Sequence, residues 1–274
     1  MIRKNNTFTY LVLAVGAILV LIPFYWMLST ALKSEAEALR VPATLYPHGL
    51  HFENFILAMQ KAPIARYLIN TVVVAAIVVV CSTALSVLSA FAFARLQFPG
   101  KNVLFMLVLG TMMIPQEMLI ITNFMTIAHW KWMNTIQALA LPFCVNAFNI
   151  YLLRQSMMQV PDELYTASKI DGLSDFRYLR KVVLPIVKPT VLTTMITSLT
   201  WIWNTFAWPN LVTTKDELRL VSNGLQNAFT NSVGNVQHEL QMAAATLVTV
   251  PLILIFLCFR KQILEGMSKG GIKG

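Results

Sequence analysis

The sequence predicts an all-α integral membrane protein with about six transmembrane helices. Hydrophobic residues make up 57% of its 274 residues and charged residues only 12%, whereas soluble domains carry roughly 25% charged residues. The mean hydropathy is +0.64. Because a membrane-crossing helix needs about 20 apolar residues, six segments qualify: near 8–30, 67–94, 102–122, 136–157, 188–208 and 240–260. We interpret residues 1–274 as a single transmembrane domain.

The distribution of lysine and arginine predicts the orientation of these spans. With the N-terminus inside, 14 of the 21 basic residues and 5 of the 12 acidic residues face the cytoplasm, which leaves seven of each outside. The whole formal net charge of +9 then lies on the inner side, as the positive-inside rule expects. We predict a multi-pass protein of the cytoplasmic membrane with both termini inside. The orientation of the spans accounts for the net positive charge, so we expect no nucleic-acid partner.

The first apolar run, Phe8 to Leu28, raises the alternative of a cleaved secretion signal. It is longer than the usual signal core of about 7–15 residues. The small residues that follow it, Ser29 to Ala31, form only a weak cleavage site. We expect a retained first span.

Several kinds of chemistry find no support in the sequence. It contains no GxxxxGK[ST] loop that could cradle a nucleotide phosphate. The proposed span interiors hold no Asp, Glu, Lys, Arg or His, and Glu117 near the outer end of the third span comes closest. Ion-coupled transporters usually place such groups inside their spans. Cys81, Cys144 and Cys258 are far apart, and the four histidines lack a metal-ligand spacing. We predict no catalysis, no metal and no cofactor in this chain, so the energy for any transport must come from a partner.

One polar segment, Pro161 to Pro189, interrupts the apolar second half of the chain. Pro161 followed by Asp162 and Glu163 is typical of a helix start, where the helix dipole favours acids. Asp171-Gly172 is a turn or helix-end signal. The segment therefore predicts two short helices joined at the glycine, the second of them basic.

This segment resembles the cytoplasmic EAA loop of ABC importer permeases, here at about residues 158–188. The family pattern is E-A-A, three residues, G, nine residues, I, one residue, L-P. In this chain the triplet falls on Thr166, Ala167 and Ser168, and the glycine on Gly172. Val182 and Leu184-Pro185 follow at the family spacing. Thr166 replaces the glutamate of the pattern, and Ser168 replaces an alanine. The alternative is a plain helix-turn-helix connector.

A second run lies at the end of the fifth predicted span. Trp203, Asn204, Phe206 and Trp208-Pro209 match the W-N-x-(F/Y)-x-W-P run that similar carbohydrate permeases carry. Flat aromatic faces suit the apolar faces of sugar rings, and an amide can pair with hydroxyl groups. The competing interpretation is an aromatic belt at the membrane interface, with Asn204 bonded between helices.

Along its whole length the chain resembles the carbohydrate-uptake class of ABC importer permeases, and within it the shorter maltose-type partner subunit. The resemblance implies a type I importer permease fold. It also implies a second homologous permease subunit, two ATP-binding cassette subunits and an extracytoplasmic solute-binding protein. The implied residues for docking the ATPase are Glu163, Thr166, Ala167, Ser168, Asp171 and Gly172. The implied substrate-path residues are Trp203, Asn204, Phe206 and Trp208.

Other functions stay open from the sequence. The chain could be a self-contained channel or facilitator for a small polar solute, with the polar loop as a connector, or an exporter subunit. Within the importers, a permease for glycerol phosphates is the main competitor of one for sugars. A phosphate would call for basic groups along the pathway, and the interiors of the predicted spans offer none.

Overall fold

The computed structural model describes residues 7–229 and 236–269. Arg3, Lys4 and Lys273, which are among the basic residues counted on the inner side, lie outside these described residues, as do the other residues of Gly270 to Gly274. The described residues are almost entirely helical. Their α-helices are α1 Thr7–Ala31, α2 Glu35–Ala38, α3 Glu53–Lys61, α4 Ile64–Arg95, α5 Lys101–Thr111, α6 Ile120–His129, α7 Ile136–Ala140, α8 Ala147–Met158, α9 Asp162–Ile170, α10 Asp175–Tyr178, α11 Leu184–Asn204, α12 Ala207–Val212, α13 Val221–Ala228 and α14 His238–Lys269.

The apolar helices correspond to the predicted spans. Within the described residues, three helical stretches are long and apolar enough to cross a membrane: Phe8–Ala31, Ile64–Arg95 and Asp175–Asn204. Two bent pairs add up to two more, Lys101–Thr111 with Gln116–His129 and Ile136–Phe143 with Ala147–Met158. The apolar stretch His238–Leu254 of α14 is shorter. It lies where the sixth span was predicted.

The third span differs most from a straight helix. The predicted segment 102–122 is two helices, α5 and α6, that meet at 86°. Pro115 stands at the break and precedes a 3₁₀ turn over Gln116–Leu119. Proline has no backbone N–H and disfavours helical geometry in the residue before it, which explains why the helix stops here. The fourth span bends by 43° after Pro142.

By contacts, the chain divides into two compact units, and the first comprises Met1–Arg66 and Gly224–Leu254. Helix α1 exposes apolar side chains over most of its circumference, which is typical of a helix that faces lipid or another membrane protein. The segment after α1 is held by its own hydrogen bonds. Lys33 is buried and donates to the carbonyl oxygen of Thr44 at 2.6 Å. His48 hydrogen-bonds to Glu37 and lowers the pKa of that carboxyl group.

The second unit comprises Tyr67–Asn223 and Ile255–Gly274, and two apolar clusters of described residues lie along α4 within it. One cluster joins α4 to the ends of α11 and α12, and it contains Val78, Ile202 and Trp208. The other joins the opposite end of α4 to α8 and α10, and it contains Phe91 and Tyr178. The two ends of this unit carry the two runs that the sequence singled out. Whether all 274 residues act as one domain stays a prediction.

Candidate functional site

The polar segment folds into the two short helices that its sequence predicts. Helix α9 follows Pro161 directly and has Asp162 and Glu163 in its first turn. It ends before Gly172, whose φ of +72° lies in the left-handed region that glycine adopts readily. The N–H of Leu173 closes this turn by donating to the carbonyl of Ser168 at 2.9 Å. Helix α10 follows, and a π-helical turn over Leu179–Val183 leads into α11.

One face of α9 is exposed. Glu163, Thr166, Ala167 and Ile170 recur at the i, i+3, i+4, i+7 spacing of one helix face, and all four are exposed. Ile170 is 82% exposed, which is a high fraction for a large apolar side chain. Asp171 and Gly172 continue this exposed surface at the turn. Ile170 was not among the predicted docking residues, although its spacing of seven residues from Glu163 indicates the same helix face.

The opposite face of α9 packs on α10. The Tyr165 ring lies 5.1 Å from that of Tyr178, and its hydroxyl donates to Asp175 at 2.8 Å. The Lys169 ammonium is 2.7 Å from the same carboxylate, which raises the pKa of Lys169. Ser168, one of the predicted docking residues, is buried on this face and donates to the Tyr165 carbonyl at 2.7 Å. Five of the six predicted docking residues are therefore exposed, and Ser168 is not.

The aromatic run at the other end of α11 divides between two environments. Trp203 is 5% exposed and borders an apolar groove formed by α4 and α11. Trp208 is 4% exposed, and its indole N–H donates to the carbonyl of Ala138 at 2.9 Å. Asn204 is exposed, and its amide donates to Thr200 of its own helix at 2.8 Å. Phe206 is 37% exposed at the break between α11 and α12.

A stripe of threonine, tryptophan and asparagine side chains, half-buried at its start and exposed toward its end, runs along α11. Its members recur every three or four residues: Thr190, Thr193, Thr197, Trp201 and Asn204. The first two line a cavity of about 450 Å³ between α8 and α11, which also contains Gln155 and Gln159. Thr197 and Trp201 line a smaller pocket of about 90 Å³ with Asn149 of α8 and with Asn146, which caps that helix. We call these residues of α11 the threonine face.

The threonine face could not be recognised from motif letters alone. Its threonine hydroxyls donate to carbonyls one turn earlier, as from Thr193 to Pro189 and from Thr197 to Thr193. Their oxygen atoms still have lone pairs that accept hydrogen bonds. Polar side chains at membrane depth usually face water or a protein neighbour. The step of three to four residues between polar side chains in the fifth span was the available signal.

Among the described residues, no group of three or more His, Cys, Asp or Glu side chains is placed to hold a metal ion. The arrangement therefore offers two surfaces: an exposed amphipathic helix at one end of the second unit, and an uncharged polar face along α11. The first suits docking of a protein, and the second suits contact with a hydroxyl-rich solute.

Comparison with known proteins gives three kinds of similarity. A family described as binding-protein-dependent transport system inner membrane component matches residues 82–269. The sn-glycerol-3-phosphate transport system permease protein UgpE of Salmonella typhi is 29% identical over 271 residues, which cover 97% of this chain and 96% of that protein. Its counterpart in Yersinia pestis is 27% identical over the same length.

Two solved structures share the fold. A bacterial ABC transporter involved in import of the acidic polysaccharide alginate has a TM-score of 0.82 and 20% identity, covering 95% of this chain and 98% of that one. The bacterial alginate ABC transporter in complex with its alginate pentasaccharide-bound periplasmic protein gives a TM-score of 0.66 and 14% identity. It covers 95% of this chain and 96% of that one.

Proposed function

The chain belongs to the family of binding-protein-dependent transport system inner membrane components, and on that premise we propose that it moves a carbohydrate across the bacterial cytoplasmic membrane as one permease subunit of an ABC importer. The predictions of an all-helical permease fold and of this family from the polar loop and the spans are confirmed. The family makes it a multi-pass membrane transport component. Its partners, its substrate and its orientation are proposals.

The exposed face of α9 is the observation that supports the partner arrangement best. An exposed isoleucine flanked by Glu163, Thr166 and Ala167 forms a small apolar patch with a polar rim, as protein interfaces often do. We propose that this face docks on one of two ATP-binding cassette subunits, which hydrolyse ATP. A second permease subunit completes the pathway, and an extracytoplasmic binding protein delivers the substrate. The solved alginate importer with its sugar-bound periplasmic protein is consistent with such an assembly.

Cysteine crosslinking tests the docking proposal with a control built into the same helix. In the purified complex, Ala167→Cys should crosslink to a cysteine scan of the ATPase partner, because Ala167 is exposed. Ser168→Cys should react far less, because Ser168 is 4% exposed. Equal reactivity at both positions, or none at Ala167 in a complex that hydrolyses MgATP, would contradict docking through this face.

Gly172 tests the same proposal through the backbone. A Cβ atom at Gly172 would meet nothing within 4 Å, so substitution strains only the left-handed backbone, by about 1–2 kcal/mol. We expect Gly172→Leu to weaken association with the ATPase while membrane insertion stays intact. Gly172→Asn is the matched control, because asparagine tolerates this conformation, and it should retain most of the association.

The threonine face favours a carbohydrate as the substrate. It offers hydroxyl, amide and indole groups without a charged side chain: Thr193, Thr197, Trp201 and Asn204. A sugar presents hydroxyl groups to such partners and an apolar ring face to an aromatic side chain. The related sn-glycerol-3-phosphate permeases keep glycerol phosphate as the second candidate. For that substrate, the binding protein or the second permease would have to supply the cationic groups.

Identification of the bound solute separates the two substrates. The complex is purified with its binding protein, and the small molecules released by denaturation are analysed by mass spectrometry. A neutral oligosaccharide supports the proposal. If glycerol-3-phosphate is released instead, and if it competes with uptake, glycerol phosphate is the substrate and the carbohydrate proposal is wrong. The assignment of the chain to an importer would not change.

Labelling with a membrane-impermeant thiol reagent tests the orientation. Residues 41 and 170 are highly exposed, Val41 at 93% and Ile170 at 82%. We expect Val41→Cys to react from the outside of intact cells and Ile170→Cys to react only in inverted vesicles from which the ATPase has been removed, because a docked ATPase would cover Ile170. The reverse pattern would place the termini outside and would remove α9 from the reach of a cytoplasmic ATPase.

A further inference from the structure

Arg95, the last residue of α4, is buried where three helices end. Its guanidinium donates to the carbonyl oxygen of Met157 at 3.0 Å and also to the carbonyl oxygen of Val160. It forms an ion pair with Asp162. The side chain of Arg95 is only 6% exposed, whereas that of Asp162 is 88% exposed. Most of the burial therefore falls on the arginine.

These contacts connect α4 to the start of α9. Met157 lies in the last turn of α8, and the final carbonyls of a helix have no partner within the helix. A cation near this end is favoured by the helix dipole. Asp162 is the first residue of α9, only four positions after Met158 ends α8. A single planar guanidinium thus holds the end of α8 and the beginning of α9 in one geometry, which a point charge on a lysine could not reproduce.

A second contact lies one helical turn earlier on the same side of α4. Phe91 packs on Tyr178 of α10 with ring centroids 6.2 Å apart, and Tyr178 packs in turn on Tyr165 of α9 at 5.1 Å. Because Phe91 and Arg95 are four residues apart, they share one face of α4. That face contacts the α9–α10 pair at two separate points, through the charge of Arg95 and through the rings.

We propose that Arg95 is a positioning residue that fixes α9 to the inner end of α4, so that the two helices move as one body when the ATPase closes. The inference rests on the proposed docking of α9 to the ATPase. Because the guanidinium is buried and hydrogen-bonded, its removal would leave the carbonyl oxygens of Met157 and Val160 without this donor and Asp162 without its cation. Unpaired groups of this kind are destabilising. Movement of α9 would then be transmitted to the full length of α4 as a rigid-body motion.

The test measures the separation of α4 and α9 in two nucleotide states. Spin labels are attached at Leu88→Cys on α4 and Leu164→Cys on α9, both exposed positions, after the three native cysteines are replaced by serine. The assembled complex, with its ATPase and permease partners, is measured without nucleotide and after trapping with MgATP and vanadate. The unsubstituted chain should give one narrow separation that is the same in both states.

Loss of the guanidinium should uncouple the two helices. With Arg95→Gln we expect a broader distribution and a separation that changes on trapping, while the complex still hydrolyses MgATP. Arg95→Lys should give an intermediate result. Lys188→Gln, which removes an exposed cation from α11, should behave as the unsubstituted chain does. A residue that only stabilises the fold would lower the thermal stability without making the separation depend on nucleotide.

Three results would overturn the proposal. The first is a separation of α4 and α9 that changes on trapping in the unsubstituted chain. The second is an Arg95→Gln distribution identical to that of the unsubstituted chain in both states. The third applies if the Arg95→Gln complex does not assemble, and it is an Asp162→Asn variant that behaves as the unsubstituted chain does. In that last case, a state-dependent separation with Asp162→Asn supports the proposal. Since both labels lie in this chain, the outcome is distinct from the Ala167 crosslink, whose failure would instead count against the docking of α9.

Discussion

The last turns of α11 present two faces that differ in their exposure. On one face, Ile202 and Trp203 are 1% and 5% exposed and pack among apolar side chains. On the other, Trp201 is 42% exposed, and Thr197 and Asn204 are exposed with it. A helix with 3.6 residues per turn rotates about 200° over two residues, so Trp201 and Trp203 must point in nearly opposite directions. One run of letters therefore divides between a buried face that packs and an exposed face that is open to contact.

This difference assigns distinct roles to the four predicted path residues. The burial of Trp203 and Trp208 gives each of them a part in holding α11 and α12 in place. The exposure of Asn204 and Phe206 leaves both available to a solute. Whether any of the four contacts substrate stays a prediction, and the variants below are chosen to separate the two roles.

Trp208→Ala should give the largest effect. It empties a buried site and leaves the carbonyl of Ala138 without its donor, and Trp→Ala changes in cores typically cost about 3–5 kcal/mol. We expect poor assembly and a much lower thermal stability of the detergent-purified complex, measured by size-exclusion chromatography after heating. Trp208→Phe keeps a ring but not the N–H, so it should cost about 1–3 kcal/mol. A stable Trp208→Ala complex that has lost transport would move Trp208 to the solute-contacting face.

Trp203→Ala should have a smaller effect on stability. Trp203 borders a groove that opens to the surface of the chain, where a lipid tail or a partner helix can partly replace the lost ring. Stability measured in the same way should fall less than with Trp208→Ala. Trp201→Ala is the matched comparison: Trp201 is 42% exposed, and its ring contacts that of Phe143 with centroids 4.7 Å apart. Its removal should therefore lower stability less than that of the buried Trp208 and should reduce uptake. If instead Trp203→Ala abolishes uptake in a fully stable complex, the division between the two faces is wrong.

Asn204→Ala should change substrate preference more than stability. The amide of Asn204 donates to Thr200 at 2.8 Å and is otherwise exposed, so its removal leaves no buried group unpaired. A polar group in a site discriminates strongly when an analogue leaves it without a hydrogen-bond partner. We expect an altered order of competition among related sugars in uptake assays. An unchanged order, together with unchanged rates, would assign solute selectivity to the second permease or the binding protein.

Local signals predicted the fold and the turn at Gly172, because the residues responsible act over a few positions. Pro161, the acids that follow it and Gly172 gave both ends of α9 correctly, and hydropathy located the apolar segments. The 86° bend was not predicted, because Pro115 marks a break but not its angle. The contact between Arg95 and Asp162 spans 67 positions of sequence, so no local pattern could indicate it. The burial of Trp203 likewise depends on how α4 and α11 are rotated against each other.

Thr197→Val should give the smallest effect and tests the threonine face most directly. Valine matches threonine in shape, and the lost hydroxyl donates only to Thr193 of the same helix, so we expect a stability change within about 0.5 kcal/mol. The Thr197 oxygen lies at the pocket that Trp201 and Asn149 also line, where it can accept a hydrogen bond from a solute hydroxyl. Loss of one neutral hydrogen bond costs about 0.5–1.5 kcal/mol. We therefore expect a higher substrate concentration at half-maximal uptake, with an unchanged maximal rate. Thr246→Val in α14, whose hydroxyl also donates to its own helix, is the control and should leave uptake unchanged. Equal effects of the two variants would show that the threonine hydroxyls of α11 serve their own helix and not a solute.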